Sequence, residues 1–456
     1  MRAVVIGCGL LLTLAMNATV MAAGPPRIAT FNVDATPPLG SPCAYRLAER
    51  ILDPLSARGI IILSDEDPIV LCAVDWIGIG NEGHDAWREA LASAAGTNVH
   101  RVSVHVLHQH DAPTFDLSAE ALLADQGLGG KMFDMTFARR TIESAAAAVR
   151  EAMSSPVEIT HLGLGQAKVE KVASNRRILG PDGKVKYVRY SSCRNPDIIA
   201  APEGVIDPNL KLIAFYHNDR PIASITYYAT HPQSYYREGD VSADFVGMAR
   251  AMRESELPGV AHIHFNGAGG NVAAGKYNDG SHDNRPVLAG RLAAGMRSAW
   301  NAVKKVRIDA DDVAWNWVPV SIPPRDTLDA DQLRSILKNE NAKPAERTRA
   351  ARDLAFLLRT TGGHKIEISC LRLGNARVLQ MPGELFVEYQ LAAQAMRPDL
   401  FVCMAAYADY GPGYIGTKIA YGQGGYETGP VSRTAPEVEE VLTSAIATLL
   451  DVEQVK

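Results

Sequence analysis

Residues 85–113 read DAWREALASAAGTNVHRVSVHVLHQHDAP. Asp85 to Ala95 places its apolar side chains at helical spacing, and Val102 to Leu107 is a β-branched run that ends in histidines. A helix feeding a strand recurs outward in both directions. Gly59 to Leu63 and Ile69 to Ile77 are strand-like upstream. Downstream, Phe137 to Met153 is helical, Val157 to Lys168 and Leu210 to Thr230 are strand-like, and Ser242 to Arg253 and Pro286 to Val303 return to helix. Pro286 suits a first-turn position. This alternation predicts an α/β fold: a mixed, largely parallel sheet flanked by helices, in one large domain over residues 23–456. Between Asp326 and Arg359 a charged stretch punctuated by Pro344 predicts a helical hairpin on the surface. Ile366 to Leu373 and Arg377 to Met381 flank Gly374-Asn375, a two-residue hairpin turn, and run straight into Pro382-Gly383-Glu384.

Composition excludes whole classes of function. The chain has 456 residues, 47% hydrophobic and 21% charged, with 46 Lys+Arg against 51 Asp+Glu. That is a globular composition with a net charge of −5, and the absence of any basic run argues against a nucleic-acid partner. Residues 1–22 have the makings of a signal peptide: Arg2, an apolar stretch from Val4 to Leu14 too short to span a bilayer, and Val20-Met21-Ala22 before a mature start near Ala23. An exported protein is expected, in periplasm or medium. No later stretch approaches the ~18 apolar residues of a spanning helix. The five remaining cysteines, Cys43, Cys72, Cys193, Cys370 and Cys403, match no CxxC metal site; most read as core residues, with room for one disulfide.

Chemistry concentrates at strand ends. His105, His108 and His110 close the strand that begins at Val102; on an extended chain His108 and His110 share a face and Gln109 looks away. His231 follows another long apolar run, in YYATHP (227–232), and Glu384 follows a third behind a Pro-Gly turn. Two imidazoles and a carboxylate from three strand ends suit a catalytic Zn²⁺ that keeps a position open for water. Other polar residues have structural readings: Asp75, Glu82 and His84 line a pocket mouth or cap a loop-to-helix entrance, Asp409 and Tyr410 shape a loop, Arg139 and Arg140 sit on a solvated helix face, and His262 and His264 are buried on one strand face.

These segments resemble the neutral/alkaline non-lysosomal ceramidases. HQHDAP (108–113) is similar to their THTHSGP, ATHPQS (229–234) to A-x-HPTS, and SADFVG (242–247) to SGD-x-x-G. PGE (382–384) matches PGE, and YIGTKIAY (414–421), followed by Tyr426-Glu427, is similar to YVTT-x-EEY and YE. The likeness spans roughly residues 27–430 in consistent order. It implies a Zn²⁺ site formed by His108, His231, Glu384 and Tyr421, with His110 beside the reacting water for proton transfer and Arg176 near the substrate. Arg176 also has a plain surface reading. The implied activity is hydrolysis of an N-acylsphingosine to fatty acid and sphingoid base, with transient contact to lipid surfaces.

The chain departs from that pattern at NGAGGNVAA (266–274), where the family has NAGDVSPN. An alanine replaces the serine, which removes covalent catalysis there; the glycines could still offer backbone N–H groups to a substrate oxygen. Gly270 to Lys276 mimics a phosphate loop, but Tyr277 stands where Mg²⁺ coordination needs Ser or Thr. Two rivals stay open. One keeps the metal and changes the substrate to another amide or ester, such as a non-sphingoid N-acyl compound or an envelope fragment, and would present a polar pocket instead of a long apolar slot. The other is a non-catalytic secreted binding protein.

Overall fold

A computed structural model describes residues 24–452, so residues 1–22, the expected signal peptide, lie outside the described residues. Three mixed sheets organise the chain. In the first, the strand order is Val102–Val106, Ile69–Val74, Ser56–Leu63, Arg27–Asp34, Val157–Glu158. The second runs Ala261–Asn266, Arg220–Tyr228, Asn209–His217, His161–Lys168, Lys304–Arg307. The third runs Val313–Val320, Ile366–Leu373, Ala376–Gln380, Phe401–Ala405.

The α/β class and the mixed sheets are as expected, with helices against them, but antiparallel pairing predominates. Each sheet holds one parallel pair: Ile69–Val74 with Val102–Val106, Arg220–Tyr228 with Ala261–Asn266, and Ala376–Gln380 with Phe401–Ala405. Each pair is joined by a helix, respectively Glu82–Ala95, Asp244–Glu256 and Val387–Met396. Short turns reverse the chain between Ser56–Leu63 and Ile69–Val74, Asn209–His217 and Arg220–Tyr228, and Ile366–Leu373 and Ala376–Gln380. The apolar run from Leu210 to Thr230 is two antiparallel strands broken at Asn218-Asp219, with Asn218 in the left-handed region at φ 56°. A short apolar run looks alike in either orientation; only the length of the connecting segment distinguishes them.

The three parallel pairs meet at their carboxyl ends. Val106 N–H donates to the Tyr407 carbonyl at 3.0 Å, Ala406 N–H to the Asn266 carbonyl at 3.0 Å, and Asn266 Nδ2 to the Leu107 carbonyl at 2.5 Å. His105 belongs to this seam, donating from Nδ1 to the Ala406 carbonyl at 2.6 Å. The sheets are covered by apolar packing, with Trp87, Phe115 and Phe137 each set against Trp76 in the core beside the first. The expected helical hairpin is Ala330–Lys338 and Pro344–Thr361; it buries Leu333, Leu337, Ala351 and Leu354 against Ala119, Leu123 and Phe133. All five described cysteines are free. No helix among the described residues is long and apolar enough to cross a membrane.

Several polar residues are structural. Asp75 does not reach a pocket mouth. It is buried beneath the first sheet, accepting from Arg250 Nη1 and Nη2 at 3.0 and 2.6 Å and from Ser56 Oγ at 2.7 Å. His262 and His264 are buried and hydrogen-bond Ser224 and Thr226. His84 is held by the Val104 carbonyl.

Burial alone would raise the Asp75 carboxyl, but the Arg250 and Arg58 charges and the bonds from Arg250 and Ser56 bring it down to about 2 from 3.8. Asp75→Asn leaves Arg250 buried without its counter-charge and should lower the unfolding free energy in urea by about 3–5 kcal/mol. A carboxyl lowered on folding contributes stability above its unfolded pKa. The native chain's advantage over the variant should therefore be full above pH 3.8 and fade as pH falls toward about 2.

Candidate metal centre

The seam where the sheets meet places the candidate residues. The first sheet's edge strand stops at Val106, and the chain turns sharply: His108 has φ 65°, a left-handed conformation rare for a side chain of this size. Its N–H donates to the Trp76 carbonyl at 2.9 Å. His108 and His110 do face one cavity, but through this turn and not through strand alternation. Gln109 points away, to Asp75 at 3.0 Å.

His231 lies beyond the strand Arg220–Tyr228 and is tied by its N–H to the Val272 carbonyl at 2.9 Å. Glu384 follows Gly383, which sits at φ 58°, where a Cβ would lie 2.5 Å from the Gly413 carbonyl oxygen. The residue must therefore be glycine. Glu384–Leu385 pairs in parallel with Tyr414–Ile415, and in that register Tyr414 stands directly beside Glu384.

His231 Nε2 is 3.0 Å and His108 Nε2 3.2 Å from the same oxygen, Glu384 Oε2. The Tyr414 hydroxyl is 3.1 Å from His231 Nε2. All four residues are buried. The backs of both imidazoles fix their hydrogens. His108 Nδ1 is 2.6 Å from the Ile77 carbonyl and His231 Nδ1 is 2.7 Å from the Gly269 carbonyl. A carbonyl only accepts, so each Nδ1 carries a hydrogen, and each Nε2 is left facing the Glu384 carboxylate. Two ring nitrogens and a carboxylate oxygen, buried at hydrogen-bond distance, are held together by protons on the nitrogens or by a metal cation that takes their place. Imidazole, carboxylate and phenol donors fit a divalent ion of the Zn²⁺ type, each histidine being steadied from behind by a carbonyl.

His110 completes a group of three imidazoles whose nearest nitrogens lie within 4.8 Å of one another. Its Nε2 is 3.2 Å from His108 Nε2, and its Nδ1 is 3.0 Å from the Tyr45 hydroxyl. The His110 ring thus spans from the centre to the Tyr45 hydroxyl, with one nitrogen facing each.

Charge follows the same pattern. Burial pushes the Glu384 carboxyl up, but His108 and His231 more than offset this and hold it well below the usual carboxylate range. Burial, then the His108 and His231 charges, hold His110 well below an ordinary imidazole. Burial raises the Tyr414 phenol, with Arg176 opposing.

Tyr421 is not brought to this cluster. Its hydroxyl bonds Thr434 Oγ1 at 2.5 Å and Ser432 Oγ at 3.3 Å, from the helix Lys418–Gln423. The phenol beside the imidazoles is Tyr414, seven positions earlier in the same motif, and only its strand pairing with Glu384 reveals it. Arg176 is buried, not on the surface: Nη1 donates to the Tyr414 hydroxyl at 3.0 Å and Nε lies 3.1 Å from Glu427 Oε1. Tyr410, read from sequence as shaping a loop, donates its hydroxyl to Glu384 Oε1 at 2.6 Å.

Four N–H groups of the glycine-rich loop are turned to the protein and not to a ligand. The N–H groups of Gly267, Gly270 and Val272 go to the carbonyls of Tyr228, Leu385 and Gly269, and that of Ala268 to Gln390. Its contribution is the Gly269 carbonyl behind His231. Gly270 is needed for close approach, since a Cβ there would lie 2.2 Å from the Glu384 carbonyl oxygen. Lys276 is bound by the Ile199 and Ala201 carbonyls, which leaves no phosphate site.

No protein-family model matches the chain, and no curated protein does. Two solved structures share its architecture. The neutral ceramidase of Pseudomonas aeruginosa superposes with a TM-score of 0.69 at 17% identity, over 94% of this chain and 75% of that one. A ceramidase complexed with C2 gives 0.68 at 17% identity, over 95% and 77%. The chain therefore has the fold seen in neutral ceramidases.

The two tyrosines separate experimentally. Tyr414→Phe should weaken Zn²⁺ binding, measured by chelator competition, by about 10-fold or more, the scale on which even outer-sphere partners act. Tyr421→Phe should leave that affinity within about twofold and lower stability by ~1 kcal/mol through its lost hydrogen bonds.

Proposed function

We propose that this chain is an exported, metal-dependent hydrolase of N-acyl amide bonds. The observation that carries this is the convergence of His108, His231, Glu384 and Tyr414, whose ring nitrogens, carboxylate and hydroxyl are turned toward one another. A divalent cation of the Zn²⁺ type held there supplies Lewis acidity, polarising a carbonyl and lowering the pKa of water from 15.7 toward about 7. The fold shared with neutral ceramidases supports the same reading, and the export rests on residues 1–22.

The chain's own groups divide the remaining work. His110 is a neutral imidazole whose Nε2 faces the centre and whose Nδ1 faces the Tyr45 hydroxyl, so a proton can be held at one nitrogen and released at the other. It serves as the group that delivers a proton to the leaving amine. Arg176 holds the Tyr414 hydroxyl and places a fixed positive charge beside the position where an oxyanion develops. Tyr410 and the two imidazoles keep Glu384 from rotating.

Ceramide-like lipids, split into fatty acid and sphingoid base, are the substrate that the family resemblance suggests. A second reading, a non-sphingoid N-acyl compound, is favoured by the cavity itself. That cavity, about 600 Å³, is lined by Tyr45, Tyr410, Tyr414 and Tyr426 and by several cationic side chains, together with apolar Leu47, Ile77, Met132 and Val431.

The test is hydrolysis of a panel of N-acyl lipids and short N-acyl amides by zinc-loaded protein. His108→Ala should lower kcat/KM by more than about 100-fold, beyond the range typical of outer-sphere partners. A purified protein that binds no metal and cleaves none of the panel would instead be a binding protein.

A further inference from the structure

We propose that the substrate of this cavity carries an anionic group close to its scissile bond, received by Arg349 and Arg352. The inference rests on the hydrolase reading of the same cavity and names the class of compound it takes.

Five cations line the cavity: Arg46, Lys131, Arg349, Arg352 and Arg433. Two have partners, Arg46 with Glu49 at 2.7 Å and Arg433 with Asp353 at 2.6 Å. Among the described residues, Lys131, Arg349 and Arg352 form no ion pair. Glu384 is the one carboxylate in the lining, and His108, His231 and Tyr410 already engage it. The lining therefore carries more cationic than anionic side chains; the buried Asp116 lies near enough to feel the Arg352 charge but forms no ion pair with it.

Arg352 occupies the decisive position. It is half-buried, and its guanidinium stands 5.4 Å from the centre of the Tyr410 ring. The hydroxyl of that ring bonds Glu384, so a single phenol separates an unpaired guanidinium from the proposed metal centre. Arg349 precedes it by three residues on the helix Pro344–Thr361, which puts both on one face. Arg349 is exposed and Arg352 half withdrawn from water, so both can reach a ligand, and a planar fork of N–H donors is matched by carboxylate, sulfonate or phosphate oxygens. A neutral amide lipid offers this pair only uncharged acceptors.

The compound that fits is an N-acyl chain whose amine side bears an oxyanion: an acylated amino acid, if the anion is a carboxylate, or an acylated aminosulfonate. Cleavage consumes one water. The acyl C–N bond breaks, a C–O bond forms, the acyl group leaves as a fatty acid, and the amine departs with the proton and its anion intact.

Three amphiphiles of equal chain length, N-lauroylglycine, N-lauroyltaurine and the neutral N-lauroylethanolamine, test this with zinc-loaded protein below their micellar concentrations. An anionic member should exceed the neutral one in kcat/KM by about tenfold or more, as expected for a charge-assisted pair. The ratio of glycine to taurine compound tells carboxylate from sulfonate. In the R349Q/R352Q double variant the anionic preference should fall at least fivefold. A preference near one, or one that the double variant leaves intact, overturns the inference. Should none of the three be cleaved, calorimetric binding of the same amphiphiles still decides it. Tighter binding of an anionic one that the double variant loses supports the anion site even as the hydrolase reading fails, and equal affinities for all three refute it.

Discussion

Everything in this molecule converges on a small seam of backbone. The carboxyl ends of three parallel strand pairs are stitched together by Val106 to Tyr407, Ala406 to Asn266, and Asn266 to Leu107. A buried amide or carbonyl must find a partner, and at the end of a sheet the ladder no longer supplies one. Here each sheet borrows its partners from the others. That satisfies the polar groups at three edges at once, and it fixes the relative position of three loops that are far apart in sequence. His108 leaves the first sheet, His231 the second, Glu384 and Tyr414 the third.

Strain gathers at the same place. His108 and Tyr407 both sit at φ 65°, and their rings stack with centroids 5.0 Å apart. A non-glycine residue in this region costs of order 1–3 kcal/mol and persists only where its surroundings over-determine it. The surroundings do so: the His108 N–H and Nδ1 are both bound by carbonyls, and Tyr407 is hydrogen-bonded to Gly383 and Val106. The rigidity that tolerates the strain also holds two imidazole nitrogens against a carboxylate.

The sequence made the strand ends, the histidines and the helical hairpin legible because each has a local signature. Apolar β-branched runs, a proline at a helix start and a Gly-Asn turn are visible within a few residues. Pair orientation was misread: inside Leu210 to Thr230 the stretch HNDRP (217–221) is a turn signal, and the chain reverses at it with Asn218 in the left-handed region. The tyrosine was not legible. Tyr414 and Tyr421 lie in one motif, and choosing between them requires knowing that Glu384–Leu385 pairs with Tyr414–Ile415, a contact across thirty positions. The glycine-rich loop departs from expectation for a related reason. Glycines free to present amides and glycines forced by close approach to another strand look identical in a sequence, and Gly270 is of the second kind.

The electrostatics of the cavity join its two halves. At its floor, imidazole nitrogens, a carboxylate and a phenol are gathered, which suits a cation; along its wall, Arg349 and Arg352 stand without an ion pair among the described residues, which suits an anion. Placed in contact these would neutralise each other, and the protein would need neither ligand. They are kept apart by the Tyr410 ring, whose hydroxyl faces Glu384 while its π face lies toward Arg352. One aromatic side chain thus preserves two opposite unmet demands a few ångströms apart, a separation suited to a molecule that brings a carbonyl to one and a negative charge to the other.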